Sequence, residues 1–362
     1  MAVPVAAYAR SHERIVRLCE AGGDDSRTLR ERLLGALRTA VGFDAYGFLL
    51  TDPETAVGCS PVADVPCPAE LPRLTRLRYL TEANRWTTLD GVALLSELSD
   101  PADSRLWREL LRDHGIRDIA SLVFKDRFGC WGHLDLYRCD RPFSAAETAC
   151  LARLTAPVTT ALRRSRAQTF VVRPPHARLP GPLALLLDRD LRVLAQTPAT
   201  SACLSRLVPP GCGRPAVHAC VYDVAAQLLA VEAGVDTHPP RSRVHLADGL
   251  WLTLSAARID GVLPSERRHS IAVTVEETCP AERLTLFARS FALSPREADV
   301  LHHLANGGDS HTVAHRMSLS AHTVQDHLKS IFTKTSTNNR VMLLARALGA
   351  RVLIARNTSP AR

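Results

Sequence analysis

The sequence holds ten cysteines but no C-x-x-C pair and no Cys/His cluster at zinc spacing. A zinc-stapled fold or a thiol–disulfide redox centre is therefore not indicated. Cys19, Cys59, Cys67, Cys130, Cys139, Cys150, Cys203, Cys212, Cys220 and Cys279 read mostly as small buried hydrophobes in a reducing cytoplasm. No apolar run approaches 18 residues, so no membrane-spanning helix is expected. Met1 to Arg10 is too short and too weakly apolar for a secretory segment. The chain also lacks a G-x-x-x-x-G-K loop, G-x-S-x-G, H-E-x-x-H, and a G-x-G-x-x-G in strand–helix context. Neither an enzyme nor a bound metal or cofactor is expected.

What is present is ordinary globular material. The 362 residues suggest two or three domains, and 46% hydrophobic against 23% charged residues supplies more than one core. The formal net charge of +8 favours an anionic partner, and its distribution is uneven. Ser290 to Arg362 carries nine Lys and Arg against four Asp and Glu, and six of the fourteen His. That fifth of the chain thus holds more than half of the excess charge, which points to nucleic acid.

Two stretches punctuate the chain. Arg163 to Pro182 is basic and then proline-rich, as in an exposed connector, and Ser265 to His269 reads as a loop. Ahead of the first, Leu29, Leu33, Leu34, Leu37 and Val41 fall at helical spacing, and Ala45 to Leu50 reads as a strand. Ile119 to Phe124 and Trp131 to Tyr137 read as paired strands about a turn, and Ser144 with Glu147 forms a capping box. Between the two stretches a smaller version follows. It has hairpins at Leu183 to Ala195 and at Arg243 to Ala256, a helix near Val217 to Ala233, and a last strand at Ile271 to Val275. Trp86, Trp107, Trp131 and Trp251 read as core residues ahead of a ligand-pocket role.

The pattern is that of two α+β domains, each an antiparallel sheet flanked by helices. Residues 10–165 resemble a GAF sensory domain, carried by VGFDAYGFLLTDP, GIRDIASLVFKDRFGCWGHLDLYR and FSAAETACLARLTAPVTTAL. Residues 181–278 loosely resemble a PAS domain, through LALLLDRDLRVLAQTPA and LADGLWLTLSAARI.

The C-terminal pattern is denser. Ser294 is a good N-cap, Pro295 suits the first helical position, and Glu297 completes the capping box. Leu293, Val300, Leu301 and Leu304 make an apolar stripe, and Asn306-Gly307-Gly308 ends the helix. Asp309 caps a second helix over Ser310 to Met317, and Ser320 caps a third over Ala321 to about Lys334. Two short helices across a tight turn form a helix-turn-helix. Val324, Leu328 and Ile331 point inward, whereas His322, Gln325, Asp326, Lys329 and Thr333 share the opposite face. Asn338 or Asn339 caps a fourth helix with Val341, Leu344, Ala345 and Leu348 as its stripe.

This region, 285–355, resembles the LuxR/FixJ-type DNA-binding domain. The match runs from Leu293 to Leu348 and includes L-S-P-R-E-x-x-V-L, A-N-G, V-A and S-x-x-T-V-x-x-H-x-x-x-I-x-x-K, ending in Arg340. The resemblance implies an all-α four-helix module whose third helix reads double-stranded DNA as a homodimer. A small ligand and RNA polymerase are the further candidate partners. Carried over by position, Gln325, Asp326 and Lys329 would face base edges. Ser310, His311, Ser320, Thr323, Lys334 and Arg340 complete the candidate DNA-binding set, with Thr323, Lys334 and the start of the second helix facing phosphates. Gln325 stands where the family often has Lys, Asp326 adds a negative charge, Thr335 replaces a core Leu, and an acidic residue usual near Thr312 is missing.

The expected whole is a cytoplasmic, multidomain α+β transcription regulator with a helical DNA-binding end. The alternative is a partner-binding scaffold with a weakened DNA-binding module, motivated by Asp326 and Thr335. The chain has neither the W-x-x-x-Y pattern of acyl-homoserine-lactone receptors nor the acidic signature of a phosphorylation receiver. The missing phosphate-binding loop also excludes the large ATPase subclass of LuxR-type regulators.

Overall fold

The computed structural model describes residues 5–172, 179, 181–205, 219–247, 249–259 and 270–349. Among them are eleven α-helices and ten strands, besides short 3₁₀ and π turns. The loop expected at Ser265 to His269 and the start of the helix expected at Val217 lie outside the described residues.

Helices α1 (Val5–Ala21) and α2 (Ser26–Ala40) come first. Asp25 starts α2 by accepting from the Arg27 and Thr28 amides, and Leu29, Leu33, Leu34 and Leu37 are buried at the spacing the sequence predicts. Strands β1 (Ala45–Thr51) and β2 (Gly58–Asp64), helix α3 (Leu71–Tyr79), and strands β3 (Val92–Leu94), β4 (Asp118–Asp126) and β5 (Gly129–Arg138) follow, then α4 (Ala145–Gln168). The sheet order is β2-β1-β5-β4-β3, with every pair antiparallel. The β4–β5 turn closes on Asp126, which accepts from the Phe128 amide at 2.8 Å. Gly129 has φ +144°, and a Cβ there would strike the Pro53 carbonyl, so the turn requires glycine. Helix α4 starts with the expected capping box between Ser144 and Glu147.

A second set comprises β6 (Leu183–Leu187), β7 (Val193–Gln196), α5 (Pro198–Ser205), α6 (Ala219–Glu232), β8 (Arg241–Ala247), β9 (Leu250–Ile259) and β10 (Ser270–Glu277). Its order, β7-β6-β10-β9-β8, repeats that of the first sheet position for position.

The two sheets belong to one compact unit, made of 1–165, 179–244 and 252–277. Buried ion pairs join them. Arg243 clamps Asp52 through Nε and Nη2 at 2.6 and 2.7 Å, and Arg85 meets Asp236 at 2.7 Å and Gln227 at 3.1 Å. Both arginines are almost fully buried, where a charge persists only if paired and hydrogen-bonded. Trp86 stacks on His133 with centroids 4.4 Å apart and donates to the Ala56 carbonyl, while Trp131 donates to Asp126. These two rings are core residues.

The second unit contains 166–178, 245–251 and 278–362. Its helices are α7 (Pro280–Ser290), α8 (Pro295–Ala305), α9 (Ser310–Met317), α10 (Ala321–Thr335) and α11 (Arg340–Leu348). One apolar core runs through Leu284, Phe287, Val300, Leu304, Val324, Leu328, Ile331 and Leu343, and includes Phe170 and Trp251. The connector expected at Arg163 to Pro182 is therefore different in its first part. Helix α4 continues to Gln168 and Phe170 is fully buried, because an aromatic ring gains more in that core than in water. Residues 173–178 and 180 lie outside the described residues.

The stripe expected on the fourth helix also shifts. Leu343, Leu344, Ala345 and Ala347 are buried, whereas Val341 is exposed with Met342. Asn339 caps the helix through the Met342 amide, and the Arg340 guanidinium engages the Gly308 carbonyl, which together set its rotation.

Candidate nucleic-acid interface

Helix α8 begins with Ser294 and Glu297 in reciprocal bonds, the Ser294 amide donating to Oε2 at 2.6 Å and Ser294 Oγ accepting from the Glu297 amide at 3.3 Å. Asp309 then starts α9 by accepting from the Thr312 amide at 2.7 Å, a bond that holds its carboxyl below the usual range. The α9 end is closed by Ser318 in the left-handed region, φ 53°, and Ser320 starts α10 by accepting from the Thr323 amide at 3.0 Å. Every cap expected in this stretch is a short-range bond.

The turn sets α10 so that Val324, Leu328 and Ile331 are buried, and His322, Gln325, Asp326, Lys329 and Thr333 are exposed on the other side. With 15 residues, α10 is about 22 Å long, and an α-helix, about 10–12 Å across with its side chains, fits a major groove about 12 Å wide.

The candidate residues form several small groups. Gln325 Nε2 donates to Ser310 Oγ at 3.2 Å, linking the middle of α10 to the start of α9. Ser320 and Thr323 exchange a hydroxyl hydrogen bond at 2.9 Å. Asp326 is bracketed by Lys329 Nζ at 3.3 Å and His322 Nε2 at 3.6 Å, so its charge is locally compensated. These contacts are exposed and individually weak, leaving the side chains free to exchange partners. His311 is exposed in the first turn of α9.

Lys334 and Arg340 are engaged inside the module. Lys334 Nζ bonds both Glu297 oxygens, at 2.9 and 2.6 Å, and Ser330 Oγ donates to Glu297 at 2.6 Å. Burial alone would raise the Glu297 pKa, but Lys334, Ser330 and the Ser294 amide outweigh it and hold it at about 2. Glu297 is thus more than half of a capping box: it ties α8 to α10. That role is not legible in the sequence, because its partner lies 37 positions away.

Thr335 is fully buried, yet its hydroxyl donates to the Ile331 carbonyl at 2.8 Å and pairs with Thr337 Oγ1 at 2.9 Å. The polar residue in a core position therefore leaves no unmet hydrogen bond. Arg283, Phe170 and Trp251 were not singled out for this module by their sequence positions; Arg283 is buried under α11 and bonds the Ala347 carbonyl at 3.1 Å. Among the described residues, no group of three or more His, Cys, Asp or Glu could hold a metal, and no helix is long and apolar enough to cross a membrane.

The family of bacterial regulatory proteins designated luxR matches residues 292–347, from the end of α7 through α11. That family is one of non-enzymatic DNA-binding transcription regulators. No curated protein matches the chain. Among solved structures, Escherichia coli SdiA is 12% identical, with 95% of this chain and 97% of that chain covered and a TM-score of 0.33. SdiA in complex with octanoyl-rac-glycerol is 13% identical, with 95% of each chain covered and a TM-score of 0.32. Vibrio cholerae VqmA in a complex with ligand and DNA is 17% identical over 48% of this chain and 88% of that chain, TM-score 0.20. With scores this low, the assignment rests on residues 292–347.

Proposed function

We propose that this chain, whose residues 292–347 are a LuxR-family helix-turn-helix, is a sequence-specific transcription regulator that acts as a homodimer on double-stranded DNA. Its α+β unit is read as GAF-like and PAS-like sensory parts that respond to a small ligand or partner. The observation that carries the reading is the exposed face of α10, where Gln325, Asp326 and Lys329 stand clear of a core that is complete without them. Gln can pair bidentately with adenine, Lys donates to guanine, and Asp accepts from cytosine N4. Ser310 and His311 at the start of α9 and Thr323 at the start of α10 suit phosphates, which helix N-termini attract. Lys334 and Arg340 reach DNA only by sharing or leaving Glu297 and the Gly308 carbonyl.

The scaffold alternative loses one of its grounds, since the buried Thr335 hydroxyl is hydrogen-bonded to the Ile331 carbonyl and to Thr337. The cavity beside the Arg78–Asp135 pair measures about 20 Å³, room for about one water.

The test is fluorescence anisotropy with DNA from upstream of the protein's own gene, over a range of salt. Binding should weaken linearly in log–log form with salt, and Gln325→Ala with Lys329→Ala should narrow the gap between specific and random DNA. Binding that ignores both salt and sequence refutes the reading.

A further inference from the structure

Within the α+β unit, helix α6 is largely apolar and packs against β2 and α3. Its buried residues include two polar ones a helical turn apart, Asp223 and Gln227. Gln227 has partners at both ends of its amide. Its Oε1 accepts from Arg85 at 3.1 Å, and its Nε2 donates to the His238 carbonyl at 2.8 Å. Asp223 differs: it is 2% exposed, and its Oδ2 has no hydrogen-bond partner among the described residues.

The surroundings are tightly closed on that carboxyl. Gly58 of β2 lies against it: a Cβ on Gly58 would sit 3.1 Å from Asp223 Cγ and Oδ2, and 2.9 Å from Leu49 Cδ2. The Tyr79 hydroxyl of α3 accepts from the Gly58 amide at 2.9 Å and also bonds Asp223. One phenol thus joins β2, α3 and α6. Tyr79 is itself buried edge-on to Trp86, and its carbonyl is held by the Arg85 guanidinium.

Among the described residues no cation pairs with Asp223. The titratable groups around it are Tyr79 on α3, Cys220 on its own helix and, beside Cys220, Cys59 on β2. Arg85 is committed to Asp236 and Gln227. Strand β10, which also packs on α6, buries Ile271, Val273 and Val275 and leaves Glu276 and Glu277 exposed. A buried carboxylate without a paired cation is costly, whereas a neutral acid is tolerated. Burial accordingly pushes the Asp223 pKa up to about 7 from 3.8, against the pull of the Tyr79 hydroxyl.

We propose that Asp223 is a proton-operated catch inside the α+β unit: as a neutral acid it lets α6 close on β2 and α3, and on losing its proton it releases α6. Release exposes the carboxylate to water, which restores the hydration that burial denies it. Because the folded pKa is raised, the stability the neutral acid permits is complete below pH 3.8 and is lost as pH rises toward 7. The catch is a property of this unit alone and holds whether or not the chain binds DNA.

The experiment is hydrogen exchange on the full chain at pH 5 and pH 8, wild type against Asp223→Asn, which keeps the side chain's shape and cannot ionise. Taking the ratio of the two proteins at each pH removes the intrinsic pH dependence of exchange. For amides of α6 the wild-type to variant ratio should rise about tenfold or more from pH 5 to pH 8, while for β4 and β5 it should change by less than about twofold. A ratio in α6 that does not rise with pH overturns the catch. So does an equal rise in β4 and β5, which marks unfolding of the whole unit. Infrared spectroscopy of the wild type gives a second reading that does not need the variant to fold. At pH 6, where ordinary carboxyls are ionised, the carbonyl band of a neutral carboxylic acid should be present, and by pH 8.5 it should be gone. Absence of that band at pH 6 also overturns the proposal.

Discussion

Lys334 separates two roles that the sequence alone superimposes. In its observed geometry it neutralises Glu297; as a DNA residue it would neutralise a phosphate. Lys334→Ala removes two ammonium–carboxylate bonds, at 2.9 and 2.6 Å, from a carboxylate whose side chain is 6% exposed. Glu297 keeps the Ser294 amide and the Ser330 hydroxyl, and Lys334 is itself 36% exposed and partly screened. The loss is therefore about 1–2 kcal/mol, below the ~3–5 kcal/mol of breaking a fully buried pair. The pH dependence follows from Glu297. Its folded pKa is about 2 against an ordinary 4.5, so its contribution is complete above pH 4.5 and disappears as pH falls toward 2. Lys334→Ala should flatten that window. The assay is urea denaturation between pH 2 and 7, together with DNA affinity against salt. A phosphate contact would make the log–log salt slope shallower by about 1 in Lys334→Ala, whereas Glu297→Gln, which keeps the cation, should leave the slope unchanged. A Lys334→Ala protein with wild-type stability at pH 7 and wild-type pH dependence refutes the ion-pair argument.

In the α+β unit, Asp52→Ala should cost about 3–5 kcal/mol in chemical denaturation, because it strands the buried Arg243 cation with only the half-exposed Glu54. Arg243→Met should cost less, since Asp52 would still accept from the Glu54 and Thr55 amides and from the backbone amide of residue 243; equal losses would sink that ordering. His133 is buried against Trp86, and burial pushes its pKa down to about 3 from 6.5. It is neutral when folded, so the stability it permits is full above pH 6.5 and is lost as pH falls toward 3, at up to about 1.4 kcal/mol per pH unit. Melting curves at pH 5 and 7 should lie closer together in His133→Phe than in the wild type; an unchanged gap assigns the acid sensitivity elsewhere.

Much of the helix-turn-helix module was legible because its signals are short-range. A cap is a bond between residues two or three apart, and a buried stripe is a repeat of three or four; Ser294, Asp309, Ser320, Asn339 and the Val324, Leu328, Ile331 row are all of this kind. The same holds for the β4–β5 turn and the α4 capping box. The fourth-helix stripe was misplaced where two adjacent apolar pairs, Val341-Met342 and Leu343-Leu344, made several rotations equally apolar. The Arg340 contact to Gly308, 32 positions away, selects one.

The sequence by itself determined the caps and order of the C-terminal helices, several of the strands and helices ahead of them, the charge of the C-terminal part, and its likeness to one family. Only the tertiary structure decided that Arg243 meets Asp52 across 191 positions, that Lys334 serves Glu297, and that Phe170 and Trp251 complete a core otherwise built from residues beyond 280. Periodicity and capping depend on backbone geometry over a few residues. Burial against a distant partner depends on which surfaces the whole chain brings together, and an arginine or a tryptophan carries no mark of its partner.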